Sequence, residues 1–376
     1  MASKSYIDAF IPAGKDQDAC INCGICLQKC PVMQMGKEES KAEIKRLLNG
    51  EQPERVLNEC TFCMTCNHYC PQELKPYALI MERMNAKNRE GGKEVPAGVK
   101  YMFTGDSDSG YFLDQYKKAP EAHQAILDKW TEVPEKSRDT LFIGCFGRTI
   151  PHTIEYSKAL SGLAKYAPRN ACCGEIPYRF GDYDAFTRTV DRTYGMLTQL
   201  DTERLVCYCG SCSNFYGNMW PAYHGVELPF EVISIWDWLW EKVQAGDLQF
   251  TNKLEGTAAI NDSCYSSELG ESFYDAVYGL HEAAGLTLAE PANTRQDSLC
   301  CGFASGFRNN WDHTQAAQET QKRVDQLKAT AAPNVYCYCP GCYAALAPHG
   351  KKNGMRIHFS INRILQALGD DPPTKN

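Results

Sequence analysis

Short apolar runs alternate with longer, more polar stretches along the C-terminal two thirds of the chain. The runs "TLFIGC", "RLVCYC", "AAINDSC" and "NVYCYC" have the length and apolar content of buried strands. The stretches "DYDAFTRTVDRTYGMLTQL" and "WDHTQAAQETQKRVDQLKA" have helical composition, with amphipathic spacing in places. Because short strands that alternate with helices are typical of parallel sheets, the pattern predicts an α/β fold from about residue 140 onward.

This alternating pattern occurs twice. The last strand-like run of the first unit begins "EVISIWDWLW", and that of the second unit begins "RIHFSINRIL". A repeat of this length indicates one structural unit used twice. We therefore expect two pseudo-symmetric, Rossmann-like halves with parallel strands, over residues 140–250 and 251–376.

The N-terminal part follows a helical pattern instead. Ile44, Leu47 and Leu48 recur at helical spacing, and glutamates precede lysines along the same segment. The pattern predicts a helix-rich domain over residues 1–90. Residues 91–139 are polar and contain glycine and proline, so they are interpreted as a linker that ends in a short helix, "APEAHQAILDKWTEV".

Composition narrows the class of protein. The net charge is −7, so a basic surface for nucleic acid is not expected. No apolar segment follows a basic start, and no apolar run is long enough for a membrane span. We expect a cytoplasmic protein that reaches a membrane, if at all, through a partner subunit. Its 20 cysteines favour cluster ligation, because disulfide scaffolds are usually small and secreted.

The N-terminal cysteines repeat the spacing C-x2-C-x2-C-x3-C-P, closed by Pro31 and again by Pro71. This run is the bacterial ferredoxin signature for a [4Fe–4S] cube, and its fourth cysteine normally ligates the other cluster. One cube is therefore assigned to Cys20, Cys23, Cys26 and Cys70, and the other to Cys60, Cys63, Cys66 and Cys30.

Five cysteines recur in each α/β unit, at the predicted ends of strands. They are Cys145, Cys172, Cys173, Cys209 and Cys212, and then Cys264, Cys300, Cys301, Cys339 and Cys342. Strand C-termini and helix N-termini converge in such sheets, where a negatively charged group is tolerated. Five ligands are one too many for a cube but suit an opened, irregular cluster. Zinc held by C-x-x-C and two further cysteines stays an alternative, although it leaves Cys145 and Cys264 unused.

The pattern C…CCG…C-x-x-C resembles the cysteine-rich CCG domain, named for its Cys-Cys-Gly. A pair of such domains behind a two-cluster ferredoxin resembles the catalytic subunit of heterodisulfide reductase in its fused form, over nearly the whole chain. The resemblance implies two noncubane [4Fe–4S] clusters, each held by five cysteines, beside the two cubes. It also implies that the clusters face each other and split the disulfide of coenzyme M and coenzyme B. No catalytic residue beyond these ligands is assigned.

The source of electrons is expected to be another chain. The sequence has no G-x-G-x-x-G and no phosphate-binding loop, so no NAD or flavin site is predicted. By resemblance, the donor is a flavin- and cluster-bearing subunit or a membrane cytochrome b. The expected substrate is a small thiol or disulfide, and nucleic acid is not an expected partner.

Two interpretations of the CCG pair stay open. Related CCG subunits of other oxidoreductases relay electrons, but both motifs are complete in this chain, which favours a disulfide reductase. Many relatives have H-D-P-C-H where this chain has "NDSCY", with Asn261, Ser263 and Tyr265, so an imidazole proton donor is absent. Tyr265 is interpreted as a satisfied aromatic, and Cys207 and Cys337 as buried residues that do not ligate.

Overall fold

The N-terminal part of the chain is built from helices and tight turns. The computed structural model describes residues 6–91, 95–103, 110–305 and 313–371, and the side chains of 313–316 are left out of the description. The helices of this part are α1 (Ile25–Gln28), α2 (Lys37–Leu48), α3 (Glu54–Glu59) and α4 (Pro76–Glu90), with single 3-10 turns at Tyr6–Ala9 and Thr65–Asn67. Ile44 and Leu47 are buried, as expected from their helical spacing.

The predicted linker contains three helices: α5 (Ala97–Lys100), α6 (Tyr111–Lys118) and α7 (Glu121–Lys129). Trp130 fixes the end of this segment, because its indole donates a 2.8 Å hydrogen bond to Glu155 and its carbonyl accepts one from Ala167. The segment is therefore packed on the first α/β half. Within the described residues, no helix combines the length and apolarity needed to cross a membrane.

The first α/β half is a four-stranded parallel sheet in the order β2-β1-β3-β4. Its strands are β1 (Ser137–Phe142), β2 (Ala164–Tyr166), β3 (Thr202–Cys207) and β4 (Glu231–Ser234). Its helices are α8 (Pro151–Glu155), α9 (Glu175–Arg179), α10 (Tyr183–Leu197), α11 (Gly210–Asn214), α12 (Trp220–His224) and α13 (Ile235–Gln244), with a 3-10 turn at Phe146–Thr149 and a π turn at Phe215–Met219.

The second half repeats the architecture, with a parallel sheet in the order β6-β5-β7-β8. Its strands are β5 (Thr257–Asn261), β6 (Thr287–Leu288), β7 (Asn334–Cys337) and β8 (Arg356–Phe359). Its helices are α14 (Glu271–Ala283), α15 (His313–Ala329), α16 (Pro340–Gly350) and α17 (Ser360–Ala367), with 3-10 turns at Cys264–Leu269, Arg295–Asp297 and Lys351–Asn353.

The predicted fold class is confirmed: a helix-rich N-terminal part precedes two parallel sheets of the same strand order. Strand β1 begins at Ser137, slightly before the expected start of the first half. The domain boundaries themselves stay a prediction. Side-chain caps start the longer helices of the first half, since Asp182 accepts from the N–H of Ala185 and Ser234 accepts from that of Asp237.

Two apolar clusters connect the first sheet with the other two parts of the chain. Phe142 and Leu205 point from the first sheet into an apolar cluster shared with the N-terminal helices. Leu141 and Val206 point the other way, into a cluster shared with the second half and containing Ile260. Because both faces of a parallel sheet are covered, the C-terminal parts of β1 and β3 are buried and largely apolar. The first sheet thus packs against the ferredoxin-like part on one face and against the second half on the other.

The Cys-Cys-Gly turn has the same backbone in both halves. Gly174 has φ 86° and Gly302 has φ 87°, in the left-handed region that only glycine enters without cost. The N–H of each glycine donates to the sulfur two residues earlier, Cys172 or Cys300, at 3.4 Å in both cases. A Cβ on Gly174 would lie 2.6 Å from the Phe186 ring. The turn therefore requires glycine.

We expect Gly174→Ala to destabilise the protein by at least about 1–2 kcal/mol from the left-handed backbone alone. The matched control is Gly195→Ala in α10, where a Cβ would meet nothing within 4 Å. That change is expected to stabilise by about 0.5–1 kcal/mol. Thermal unfolding of anaerobically purified protein measures both. A melting temperature for Gly174→Ala equal to or above that of the control would contradict this interpretation of the turn.

Candidate functional site

The N-terminal cysteines line two cavities. One small cavity is lined by an outer set, Cys20, Cys23, Cys26 and Cys70. A second small cavity is lined by an inner set, Cys30, Cys60, Cys63 and Cys66. The fourth cysteine of each sequence run thus lies with the first three cysteines of the other run. The sulfurs are grouped in the predicted crossed pattern, and their ligation of iron stays a prediction.

The two cysteine loops have the same unusual backbone. Asn22 (φ 53°) and Gly24 (φ 74°) are left-handed in the first run, and Phe62 (φ 63°) and Met64 (φ 64°) occupy the equivalent positions of the second. Non-glycine residues with positive φ are uncommon, and such strain concentrates at ligand-binding loops. The N–H of Phe62 donates to the Cys60 sulfur at 3.4 Å. In each loop, therefore, backbone N–H groups and sulfurs lie around the same cavity. This arrangement suits a [4Fe–4S] cube.

In the first half, five thiols form a continuous row, here called the first-half set. Neighbouring sulfurs interact in the order Cys145, Cys172, Cys173, Cys212, Cys209. Cys145 follows β1, and Cys209 is the residue before α11 that follows β3. Because β1 and β3 are parallel neighbours, their carboxyl ends bring these cysteines to one edge of the sheet.

The second half forms an equivalent row, the second-half set. Its sulfurs interact in the order Cys264, Cys300, Cys301, Cys342, Cys339. The burial pattern also matches position by position. Both doublets and the last cysteine of each C-x-x-C are buried, whereas the first cysteine of each half and of each C-x-x-C is half-buried. All ten sulfurs that the repeat predicted are thus brought together in two groups of five.

Hydrogen bonds between thiols control ionisation in the second-half set. A bond from Cys300, supported by one from Cys342, lowers the pKa of Cys301 to about 5. A bond from Cys342 lowers the pKa of Cys339 to about 6, and that with Cys300 raises the pKa of Cys264. Hydrogen bonds with Cys301 and Cys339 raise the pKa of Cys342. Cys301 and Cys339 are therefore the members of the row that most favour the thiolate, which is the form that binds iron.

Buried donors without a partner surround the two rows. Among the residues that the structure describes, no hydrogen-bond acceptor meets the Tyr216 hydroxyl, the Arg148 Nε or one Nη of Arg323. Tyr216 and Arg148 lie beside the first-half set, and Arg323 lies near Cys342. Buried donors and cations require an acceptor or an anion. A thiolate-ligated iron–sulfur cluster is such a group, so the surroundings of the cysteines fit it.

The rows are not preformed sites for a single ion. In the part of the chain that the structure describes, no three or more histidine, cysteine, aspartate or glutamate side chains are grouped so that they could hold a metal ion. What the structure shows is rows and cavities lined by sulfur. Cys207 and Cys337 end β3 and β7 and are fully buried, as expected, and burial raises the pKa of both.

The four sets follow one another in space, from the N-terminal helices to the first half. Cys66 of the inner set is close enough to Cys26 of the outer set for their charges to interact. The Cys300 sulfur lies 3.9 Å from the carbonyl oxygen of Thr61, between two cysteines of the inner set. Glu175 interacts with Cys172 of the first-half set and with Cys339 of the second-half set. The order is therefore outer, inner, second-half and first-half.

The residues of "NDSCY" are buried or half-buried, and they make hydrogen bonds to other elements. Asn261 accepts a 2.8 Å hydrogen bond from Arg323, and the hydroxyl of Tyr265 lies 2.9 Å from that of Tyr77 on α4. Tyr265 is fully buried and stacked on Phe215, with 5.9 Å between the rings. The interpretation of Tyr265 as a satisfied aromatic is confirmed. It joins the ferredoxin-like part, the first half and the second half.

Sequence reasoning missed one charged pair in the site. Arg179 and Glu175 lie four residues apart on α9, with 2.5 Å between guanidinium and carboxylate. The guanidinium also lies 3.9 Å from the sulfur of Cys264. The sequence "CCGEIPYR" could have indicated this pair. Opposite charges stand four residues apart just after the cysteine doublet, a spacing at which they can pair on a helix. Its contact with the other half could not be read from that spacing.

Comparisons with known proteins agree with this geometry. Residues 16–74 match the family of 4Fe-4S dicluster domains, and residues 140–215 and 258–347 match the cysteine-rich domain family. A curated relative is one subunit of the dihydromethanophenazine:CoB–CoM heterodisulfide reductase of Methanosarcina barkeri, 23% identical over 94% of each chain. One subunit of the fumarate reductase (CoM/CoB) of Methanothermobacter marburgensis is 22% identical over 93% of this chain and 71% of its own.

A third relative belongs to another kind of oxidoreductase. The EtfAB:quinone oxidoreductase of Syntrophomonas wolfei is 19% identical over 88% of this chain and 55% of its own. The relatives are oxidoreductases, and several of them are named as subunits. The chain therefore carries a 4Fe-4S dicluster domain followed by two cysteine-rich domains, and it is similar over nearly its whole length to one subunit of a heterodisulfide reductase.

Proposed function

We propose that this chain is the catalytic subunit of a heterodisulfide reductase-like complex. The observation that carries the proposal is the pair of complete five-sulfur rows, which share one order and one burial pattern and approach each other at Glu175. A subunit that only relays electrons needs no second complete row. The ten cysteines would hold two noncubane [4Fe–4S] clusters, and the outer and inner sets would hold two cubes.

The reaction balances with two electrons and two protons: the disulfide bond breaks, and each sulfur leaves as a thiol. An iron–sulfur cluster supplies electrons one at a time and an iron to which a sulfur can bind. Two facing sets therefore suit a two-electron substrate. The half-buried cysteines, Cys145 and Cys264 among them, leave one side of each row open to a small molecule.

The order of the sets defines a route for electrons. Electrons would enter at the outer set, where Ile21 between two ligands is 62% exposed, and pass to the inner set where the charges of Cys26 and Cys66 interact. The approach of Thr61 to Cys300 then connects the inner set to the second-half set. We propose that the electron donor, a flavin- and cluster-bearing subunit or a membrane cytochrome b, docks beside the outer set.

Electron relay is the second candidate function. The similarity to an EtfAB:quinone oxidoreductase and to one chain of a fumarate reductase favours it, because neither relative is named as a disulfide reductase. In that case the two rows would store or pass charge, and the chemistry would lie on another chain. The two functions differ in one measurable property, which is whether a thiol binds at a row.

The first prediction concerns thiol binding. Anaerobically purified, oxidised protein is expected to contain about sixteen irons, from four four-iron clusters. Addition of a candidate thiol, such as coenzyme M or coenzyme B, is expected to produce a new EPR signal. Cys209→Ser should remove that signal or lower the iron content by about four. EPR spectra with and without thiol, on samples assayed for iron and zinc, measure this.

The control for Cys209→Ser is Cys207→Ser, two residues earlier on the same strand. Cys207 is fully buried, interacts with Ser213 and lies near Cys212, but it is not one of the five cysteines of the row, so full iron content and the thiol signal should persist. Full iron without a response to any thiol would favour electron relay. About eight irons with zinc in place of the rest would contradict clusters in both rows.

The second prediction tests the crossed ligand pattern of the N-terminal cavities. The double variant Cys20→Ser/Cys70→Ser changes one set twice, so it should cost about four irons. Cys20→Ser/Cys30→Ser changes both sets and should cost about eight. Iron assays of the two purified variants separate the patterns, because uncrossed ligation gives the reverse result.

A further inference from the structure

Arg179 belongs to the first half but lies against the second. Its Nη2 is 3.9 Å from the Cys264 sulfur, and its guanidinium carbon is 3.7 Å from the centre of the Tyr265 ring. The side chain is 10% exposed. A first-half cation is thus inserted between a proposed cluster ligand and the aromatic residue that follows it.

The charge of Arg179 is paired with one carboxylate of its own helix. Its partner is Glu175, at 2.5 Å, whose side chain is 18% exposed. Among the described residues, the Nε of Arg179 has no hydrogen-bond partner. At such burial, charges interact far more strongly than in water. The guanidinium therefore acts on the negative charge carried by Cys264 and by whatever that cysteine helps to hold.

The first-half set has a different arrangement. Its nearby cation is Arg148, whose guanidinium donates to the carbonyl oxygens of Pro168, Arg169 and Ala171. Arg148 is thus fixed by the backbone of its own half. The second-half set has a cation of its own half, Arg323 near Cys342, and it also receives Arg179 from the opposite half, so the repeated rows are electrostatically different.

We propose that Arg179 is a positioning residue that raises the reduction potential of the centre held by the second-half set. A positive charge close to a ligand stabilises the reduced, more negative form of an iron–sulfur centre. Because the cation comes from the first half, this potential depends on the contact between the halves. The inference takes one element from the proposed function, which is that the second-half set holds an iron–sulfur centre.

The test is an EPR-monitored redox titration of the anaerobically purified full chain. The signal that Cys264→Ser removes or alters identifies the second-half centre. Arg179→Gln is expected to shift the midpoint potential of that signal downward and to leave the other signals in place. Arg179→Lys, which keeps the charge, should restore most of the potential. Glu175→Gln, which removes the compensating carboxylate, should shift it upward.

The neutral control is Arg169→Gln, which removes an exposed arginine of the same half that is paired with Asp128. It should change no potential. Iron content and melting temperature establish that each variant is folded and loaded.

Three results would overturn the inference: an unchanged potential in Arg179→Gln, an equal shift of every signal, or the absence of any signal that depends on Cys264. Failure of the proposed function is distinguishable from these results. A thiol response that persists beside an unchanged potential removes only the role of Arg179. A shifted potential in a protein that responds to no thiol supports that role within an electron-relay subunit.

Discussion

The two rows of cysteines depend on the convergence of parallel strands at one edge of each sheet. Neighbouring parallel strands end side by side, so residues that follow them are close in space although they are far apart in sequence. In this way Cys145 and Cys209 become the two ends of one row in the first half, and Cys264 and Cys339 become those of the second. The glycine turn then adds the doublet between them. The two rows approach each other at Glu175, which interacts with Cys172 and with Cys339.

The two halves have the same arrangement of cysteines and glycine turn, but different residues surround it. The order of the five sulfurs, the left-handed glycine and the 3.4 Å bond to the first doublet cysteine are the same in both. The neighbours differ, because Thr61 of the ferredoxin-like part touches the second-half set. Arg179 adds a cation to the same set from outside its own half. The ferredoxin-like part and Arg179 therefore both contact the second-half set.

Much of this arrangement could be predicted from local sequence. Alternating apolar and helical segments predicted both sheets, and cysteine spacing predicted the groups that line the N-terminal cavities. The rest depends on contacts between distant segments. The hydroxyl pair of Tyr77 and Tyr265 joins residues whose partnership no periodicity encodes. The contact of Arg179 with Cys264 also depends on how the halves dock, which spacing within either half does not determine.

Glu268 has a consequence for how such proteins evolve. Its carboxylate is 9% exposed and accepts from Asn67 at 2.9 Å and from Lys75, both in the ferredoxin-like part. If the chain were divided into two genes at the end of that part, water would replace the ferredoxin-like part around the carboxylate, and Glu268 would lose both partners until the two products reassemble. Glu268 would then contribute to recognition between the two products of such a split.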